Sequence, residues 1–400
     1  MFMNRKIIIF NTLYTPYISG GAEKSTQLLA EGLVKYGLKV IVLTTFDRDY
    51  TDIVNGVKVY YIKIPNLYWA YKAKEQSKFK KPFWHLIDSY NPFIKKVAHI
   101  IEREKPDIIH TNILAGFSVS VWKLAKDENI PIIHTLRDYY LLCPTSTMFN
   151  EKILKNCEKQ CFICKFYSFP RKLMSNKVDA VVGVSKFILN KHLDFGYFKN
   201  AIVKTHIYNP VIINDRLYVT KTKSSKIRLG FVGLLSKSKG IEFILDKLIN
   251  LKMQNIEIHI YGKGITQKYE NFLRAKYSIY PNLFFHGFKD EKEIYKNIDI
   301  LIIPSLWNEP FGRVLIEALL YKIPVLATNR GGMPELITPG KNGYIFDVEK
   351  EENFEDKLAK IIELFQKGTF YFNPHIFDIN FVVKRYLDLY KRIFTNGKHK

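Results

Sequence analysis

A chain of 400 residues with 47% hydrophobic and 25% charged side chains can bury substantial cores and has the length of two domains, which excludes a disordered or fibrous protein. Lys and Arg number 61 against 38 Asp and Glu, a net charge of +23, and this favours a polyanionic partner such as nucleic acid, anionic lipid or a phosphorylated substrate. No apolar run approaches the roughly 20 residues of a membrane helix, and the opening MFMNRKIIIFNTLYTPY lacks the long apolar region and small-residue cleavage site of a signal peptide, so a cytoplasmic location is expected.

Along the chain, short β-branched runs alternate with apolar-periodic segments. KIIIFNT, KVIVLTT, DIIHTN, PIIHTL and DAVVGVS read as strands, and AEKSTQLLAEGLVKYG and SVSVWKLAKDEN as helices among them. Continuous apolar strands separated by helices predict a parallel sheet covered on both faces. Between the second and third strands, NLYWAYKAKEQSKFKKPFW interleaves Lys72, Lys74, Lys78, Lys80 and Lys81 with Tyr68, Trp69, Tyr71, Phe79, Phe83 and Trp84. The mixture suits an anionic membrane interface or a solvated loop with aromatic anchors. Earlier, Asp47 and Asp49 have the Asp-x-Asp form of metal-dependent transferases, but they follow a strand where acids commonly close a turn.

The four cysteines, Cys143, Cys157, Cys161 and Cys164, all lie in CPTSTMFNEKILKNCEKQCFICK. A reducing compartment argues against disulfides. A structural zinc site with all four thiolates as ligands is one reading; a cluster of small buried apolar side chains is the other.

The polar stretch NPVIINDRLYVTKTKSSK reads as a linker, after which strands IRLGFVG, IEIHIYG, LFFHG, IDILIIPS and PVLAT repeat the pattern. Two doubly wound α/β domains are predicted, residues 1–208 and 209–377, with the helical segment in 378–400 packing back on the first. His110, His134 and His286 lie in or beside apolar strands and read as structural. The Gly262 to Gly264 stretch is only a fragment of a dinucleotide fingerprint, which disfavours a nicotinamide enzyme.

Ligands of open parallel sheets bind beyond the carboxyl ends of the strands. Glu309 falls in such a loop, before Pro310 and the helical GRVLIEALLY, and Glu317 follows eight positions later. If the helix starts at Pro310, the two acids stand ~12 Å apart. That is too far for a shared metal or a glycosidase pair. Two acceptors flanking an anion-attracting helix N-terminus instead match a nucleotide-diphosphate sugar.

The segment NEPFGRVLIEALLYKIPVLATNRGGMPELITPGKNGYIF resembles the nucleotide-sugar segment of the retaining family 4 glycosyltransferases, or glycosyl transferases group 1. GGAEKS, PDIIHTN, VVGVSKF, FVGLLSKSKG and FFHGF extend the resemblance from about residue 6 to residue 347. It implies the GT-B fold, two facing Rossmann-like domains with the active site between them, and metal-independent transfer from a nucleotide-diphosphate sugar. The acceptor it implies is a glycan or lipid-linked oligosaccharide of a bacterial surface polysaccharide. It assigns Glu317 to the ribose hydroxyls, Glu309 with the Phe311 and Gly312 backbone to the donor hexose, and Lys239 to the diphosphate, whose developing charge a fixed ammonium stabilises. Gly20 and Gly21 fall in the loop after the first strand, where a ligand can approach closely.

Two positions depart from the family's pattern. Leu234 stands where an Arg commonly follows the Gly of FVG, and Arg313 is the candidate to replace that cation. Arg137 stands where a His often ends the strand PIIHTL; it stays charged and is no base. Asp138 beside it could accept the acceptor hydroxyl's proton or cap a turn. The rival readings are a GT-B epimerase or phosphorylase, and a non-enzymatic basic protein that binds nucleic acid or membrane. No nucleic-acid-binding signature supports the last, and no nucleic-acid partner is expected.

Overall fold

The computed structural model describes residues 4–18, 20–213, 222 and 224–397. Most of the expected linker (214–221 and 223), the Lys74 side chain and the end of the basic tail lie outside the described residues. The chain divides into two compact units, one of residues 1–148, 158–212 and 375–400, the other of residues 149–157 and 213–374.

In the first unit, β1 (Lys6–Phe10), α1 (Gly21–Lys35), β2 (Lys39–Thr45), β3 (Tyr50–Val54) and β4 (Val57–Ile62) are followed by α2 (Lys80–Ser89), α3 (Lys95–Glu104) and β5 (Ile108–Thr111). Then come α4 (Ser120–Asp127), β6 (Ile132–Leu136), a small hairpin of β7 (Phe149–Asn150) and β8 (Lys155–Asn156), α5 (Phe162–Ser175), β9 (Ala180–Gly183), α6 (Lys186–Asp194) and β10 (Val203–His206). The sheet runs β10-β9-β6-β5-β1-β2-β4-β3. All pairs are parallel except β3 with β4. That edge hairpin has an expected cause: Asn55-Gly56 both take positive φ, at 49° and 82°, as a two-residue turn between twisted strands requires.

The second unit contains β11 (Ile227–Val232), α7 (Ile241–Asn250), β12 (Ile256–Tyr261), α8 (Gln267–Tyr277), β13 (Leu283–Gly287), α9 (Glu291–Lys296), β14 (Ile300–Ile303), α10 (Arg313–Leu320), β15 (Val325–Thr328), β16 (Gly343–Phe346) and α11 (Glu351–Lys367). Its all-parallel sheet has the order β13-β12-β11-β14-β15-β16. Side-chain oxygens of Ser185, Thr266 and Asp290 accept from the first turns of α6, α8 and α9, satisfying N–H groups a helix leaves orphaned. Two doubly wound parallel-sheet units are the fold anticipated from the strand pattern.

One boundary is corrected. Residues 149–157, read as part of the first domain, cluster with the second unit, because β7 and β8 pair only with each other and the Asn156 side chain bonds to the backbone of that unit.

The last helix, α12 (Ile379–Gly397), belongs to the first unit. Val382, Val383, Tyr386 and Tyr390 join Leu29 and Leu33 of α1 in one core. Histidines help to fix it: the Tyr390 hydroxyl lies 2.7 Å from His110 Nδ1, whose Nε2 is 2.8 Å from Thr135 Oγ1. Burial first, then the Arg137 charge, lower the His110 pKa to about 3, so the ring is neutral and structural. His134 pairs with Thr111 at 2.9 Å and His286 with His259 at 3.0 Å.

The α1–α12 contact leaves no room at Gly32, where a Cβ would stand 2.5 Å from Val383 Cγ2. Overpacking such a site typically costs about 1–3 kcal/mol. Gly32→Val is therefore expected to lower the melting temperature of the first unit, with faster hydrogen exchange in α12; unchanged exchange in α12 would show that the helix is not held there.

Candidate functional site

In the second sheet the strand order reverses between β11 and β14, which makes the loops after those two strands the place for a ligand. The first loop, 233–240, ends in a short 3-10 turn, Lys237–Lys239, and enters α7 through Gly240 at φ 72°. A Cβ on Gly240 would stand 1.9 Å from the Pro304 carbonyl oxygen, so only glycine lets the two loops meet. The Ser238 carbonyl then accepts from Leu306 N at 2.9 Å and Trp307 N at 3.1 Å. Across this junction Lys239 Nζ is 2.8 Å from Glu309 Oε1 and 5.1 Å from the Trp307 ring centroid.

Glu309 is fixed from its other side by the turn at residues 330–332. Gly332 N donates to the Glu309 carbonyl at 2.8 Å, and Gly331 N to Asn308 Oδ1 at 3.1 Å. Gly331 has φ 63°, and a Cβ there would come within 2.0 Å of the Glu309 carbonyl oxygen. The Gly-Gly after the strand PVLAT is thus explained by backbone contact with the Glu309 loop.

The expected helix start is corrected. Pro310 and the buried Phe311 stand in the loop, Gly312 (φ 96°) is the N-cap, and α10 begins at Arg313. Glu309 and Glu317 are therefore not separated by eight helical residues, and the ~12 Å inferred on that basis does not apply. Arg313 Nε instead bonds Glu317 Oε1 at 2.8 Å, one helical turn along. The Arg named as a replacement phosphate cation thus holds the acid named for ribose. Leu234 is 43% exposed at the loop after β11 and supplies no charge there.

The order in the first sheet reverses between β1 and β5. Gly20 and Gly21 open α1 after β1, with Gly20 N bonded to Glu23 Oε2 at 2.9 Å. Gly20 is extended, φ −167°, so its conformation makes no demand for glycine. Beyond β6, buried Arg137 donates from Nε to Asn112 Oδ1 at 2.8 Å and from Nη1 to Asn209 Oδ1, which fixes its guanidinium. Asp138 Oδ1 accepts from Tyr140 N at 2.9 Å, the turn-capping role. Burial raises its carboxyl to about 6, against the hydrogen bond from the Tyr140 backbone.

With this geometry in view, two family models cover the chain: Glycosyltransferase Family 4 matches residues 19–213 and Glycosyl transferases group 1 matches residues 218–367. A relative from Klebsiella pneumoniae, an uncharacterized 42.6 kDa protein in the cps region, is 34% identical over 96% of this chain and 99% of its own. The chain belongs to the family 4 glycosyltransferases. Its GT-B fold is that of the sucrose-phosphate synthase of Thermosynechococcus elongatus (TM-score 0.73, 16% identity, 98% and 100% of the two chains covered). Anabaena Alr3699/HepE, solved with UDP and glucose, is also similar (TM-score 0.66, 19% identity, 97% and 100% covered).

Of the four cysteines named for a structural zinc, Cys143, Cys161 and Cys164 belong to the first unit and Cys157 to the second. Among the described residues no group of three or more His, Cys, Asp or Glu is arranged to hold a metal. Cys143 and Cys164 Sγ atoms stand 3.7 Å apart, and Cys161 Sγ accepts from Cys164 N at 3.5 Å as the N-cap of α5. Cys157 ends the hairpin that clusters with the second unit. Asp47 pairs with Lys72 at 3.5 Å and Asp49 with Lys96 at 2.5 Å, so the Asp-x-Asp carboxylates meet lysines.

Sequence reasoning missed Asn156, which no motif marks. Its amide donates to the Leu306 carbonyl at 2.7 Å and its Oδ1 accepts from Asn308 N at 2.8 Å, clamping the backbone just before Glu309. Losing a hydrogen bond in a half-buried loop typically costs about 0.5–1.5 kcal/mol. Asn156→Ala is expected to reduce kcat/KM for the donor about tenfold with little change in melting temperature, and Asn156→Asp, which keeps the bond from Asn308, should fall between; equal kinetics for all three would show that the loop holds its position unaided.

Proposed function

We propose that this protein is a retaining, metal-independent glycosyltransferase. It moves a sugar from a nucleotide-diphosphate sugar to a glycan or lipid-linked oligosaccharide acceptor in bacterial surface polysaccharide biosynthesis. The observation that carries the reading is the Lys239–Glu309 pair, 2.8 Å apart, fixed by two loops at the reversal point of the second sheet. The cps-region relative supports the polysaccharide role, and the Anabaena protein's complex with UDP-glucose supports the donor class.

In this reaction the bond from the sugar's anomeric carbon to the diphosphate oxygen breaks, and a bond to the acceptor oxygen forms on the same face. Negative charge grows on the leaving diphosphate, and the Lys239 ammonium stabilises it in place of a metal. As Lys239 turns to phosphate, Glu309 is released to accept from the hexose hydroxyls, with the Phe311 and Gly312 backbone alongside. Glu317, steadied by Arg313, accepts from the ribose. In the first unit Arg137 holds an acceptor hydroxyl or a phosphate, Gly20 and Gly21 border the ligand, and Asp138 receives the acceptor's proton.

Glu317→Ala is expected to weaken binding of a nucleoside diphosphate itself about tenfold or more, since hydrogen bonds to a charged acceptor are worth about 1.5–3 kcal/mol. Glu309→Ala should bind free nucleotide at least as well as the wild type, since Lys239 is no longer held, yet lose sugar-dependent turnover. Calorimetry of nucleotide binding beside a donor-consumption assay reads both, and normal behaviour of both variants would remove the assignment.

Asp138 gives a pH test. A base raised to about 6 is protonated and inactive below that pH, so kcat/KM should rise with pH and level off above about 6. Asp138→Asn keeps an oxygen for the Tyr140 N–H and hence the turn, but should lose about 100-fold or more in rate together with that acid limb. A full-rate Asn variant would leave Asp138 only its capping role.

A further inference from the structure

An apolar groove of the first unit lies between α2 and α5, apart from Arg137, Asp138 and the loop of Gly20 and Gly21. The two helices are joined at their inner sides by a fully buried ion pair, Asp88 with Arg171 at 3.3 Å. Arg171 also donates to the Tyr140 carbonyl at 2.5 Å, and Asp88 accepts from Gly116 N at 2.6 Å. With that seam fixed, the outer sides diverge into a groove of about 730 Å³ lined by Leu86, Tyr90, Phe93, Phe162, Phe166 and Phe169. Phe162 is 82% exposed and Phe169 63%. Phe79, the N-cap of α2, and Phe83 on α2 are 87% and 64% exposed. So many large apolar side chains in one exposed patch mark an interaction surface.

The charges say what covers it. Lys80, Lys81, Lys165 and Lys172 stand on the same two helices, and their only acid, Asp88, is consumed in the buried pair. Lys80 and Lys165 are exposed. The aromatic-basic stretch at 68–84 is partly an anchor: Trp84 is buried and stacks on Tyr68 at 5.5 Å, and Trp69 Nε1 donates to Thr45 Oγ1 at 3.0 Å. Tyr71, Phe79 and Phe83 of that stretch are exposed, and so are Phe162, Phe166 and Phe169 of α5, which the sequence reading did not single out.

We infer that the α2–α5 face docks this enzyme on an anionic membrane, its phenylalanines entering the acyl boundary and its lysines meeting lipid headgroups. Aromatic bodies with lysines around them fit that boundary, and each interfacial lysine adds attraction to anionic lipid that salt weakens. The inference rests on the proposed reading only in that a lipid-linked acceptor would be met at such a surface.

The test is flotation of the full chain with vesicles of phosphatidylglycerol and phosphatidylcholine, against vesicles of phosphatidylcholine alone. Binding is expected to the anionic vesicles and to fall steeply with salt. Phe162→Ser with Phe166→Ser should lose at least tenfold in binding, and Lys80→Gln with Lys165→Gln should lose most of the preference for anionic lipid. Thermal stabilisation by a nucleoside diphosphate should persist in both variants, which shows folded protein and reads the donor site separately: vesicle binding without nucleotide binding would fail the catalytic reading alone. Unaltered flotation of the Phe variant, absence of wild-type binding, or a wild-type dimer in light scattering that the Phe variant dissociates would each overturn membrane docking.

Discussion

The carbonyl oxygen of Ser238 accepts two backbone hydrogen bonds, from Leu306 and Trp307, and the geometry of the donor side follows from them. They bind the loop after β11 to the loop after β14, the two strands between which the sheet changes its direction of growth. Each loop carries one member of the Lys239–Glu309 pair. Because the bonds are between backbones, they are insensitive to which side chains stand at 306 and 307. Side-chain identity enters where the approach is too close for a Cβ, at Gly240 and Gly331. The chemistry of the pair is thus prepared by main-chain contacts and permitted by glycine.

The parallel strands could be read from sequence because they are buried on both faces, and burial on both faces leaves unbroken apolar runs such as Ile7–Phe10 and Ile300–Ile303, all fully or almost fully buried. The loops at the reversal point could be anticipated for a related reason: a doubly wound sheet has one such point, and the residues just past its strands are few. What escaped was governed by tertiary contact. A Pro at 310 is compatible with a helix start, and local preference alone placed it there; Gly312 at φ 96° instead delays α10 by three residues because Glu309 is held back by Gly332 and Asn308 by Gly331. The hairpin at 149–157 is too short to show alternation, and its allegiance is decided by Asn156 hydrogen bonds to partners 150 and 152 positions away in sequence. The cysteines are close in sequence, but their chain segment is divided between two units, a division no spacing rule contains.

The two acid–base pairs of the donor side, Lys239 with Glu309 and Arg313 with Glu317, share a property that either acid alone would lack. Each carboxylate is largely shielded from water, with 13% and 15% of its side chain exposed, and an unpaired carboxylate in such a place is costly. The cations remove that cost while the site is empty. On the proposed reading, a diphosphate would bring negative charge that competes for Lys239, and the hexose would bring hydroxyl donors that replace the ammonium at Glu309. The exchange conserves the number of satisfied charges only if both ends of the ligand arrive together. Free nucleotide would draw Lys239 away and leave Glu309 without its cation; free sugar would offer donors to an acid already satisfied. On the proposed reading the intact donor would satisfy both, so the arrangement would favour it over either fragment through the same two charges that pair in the empty site.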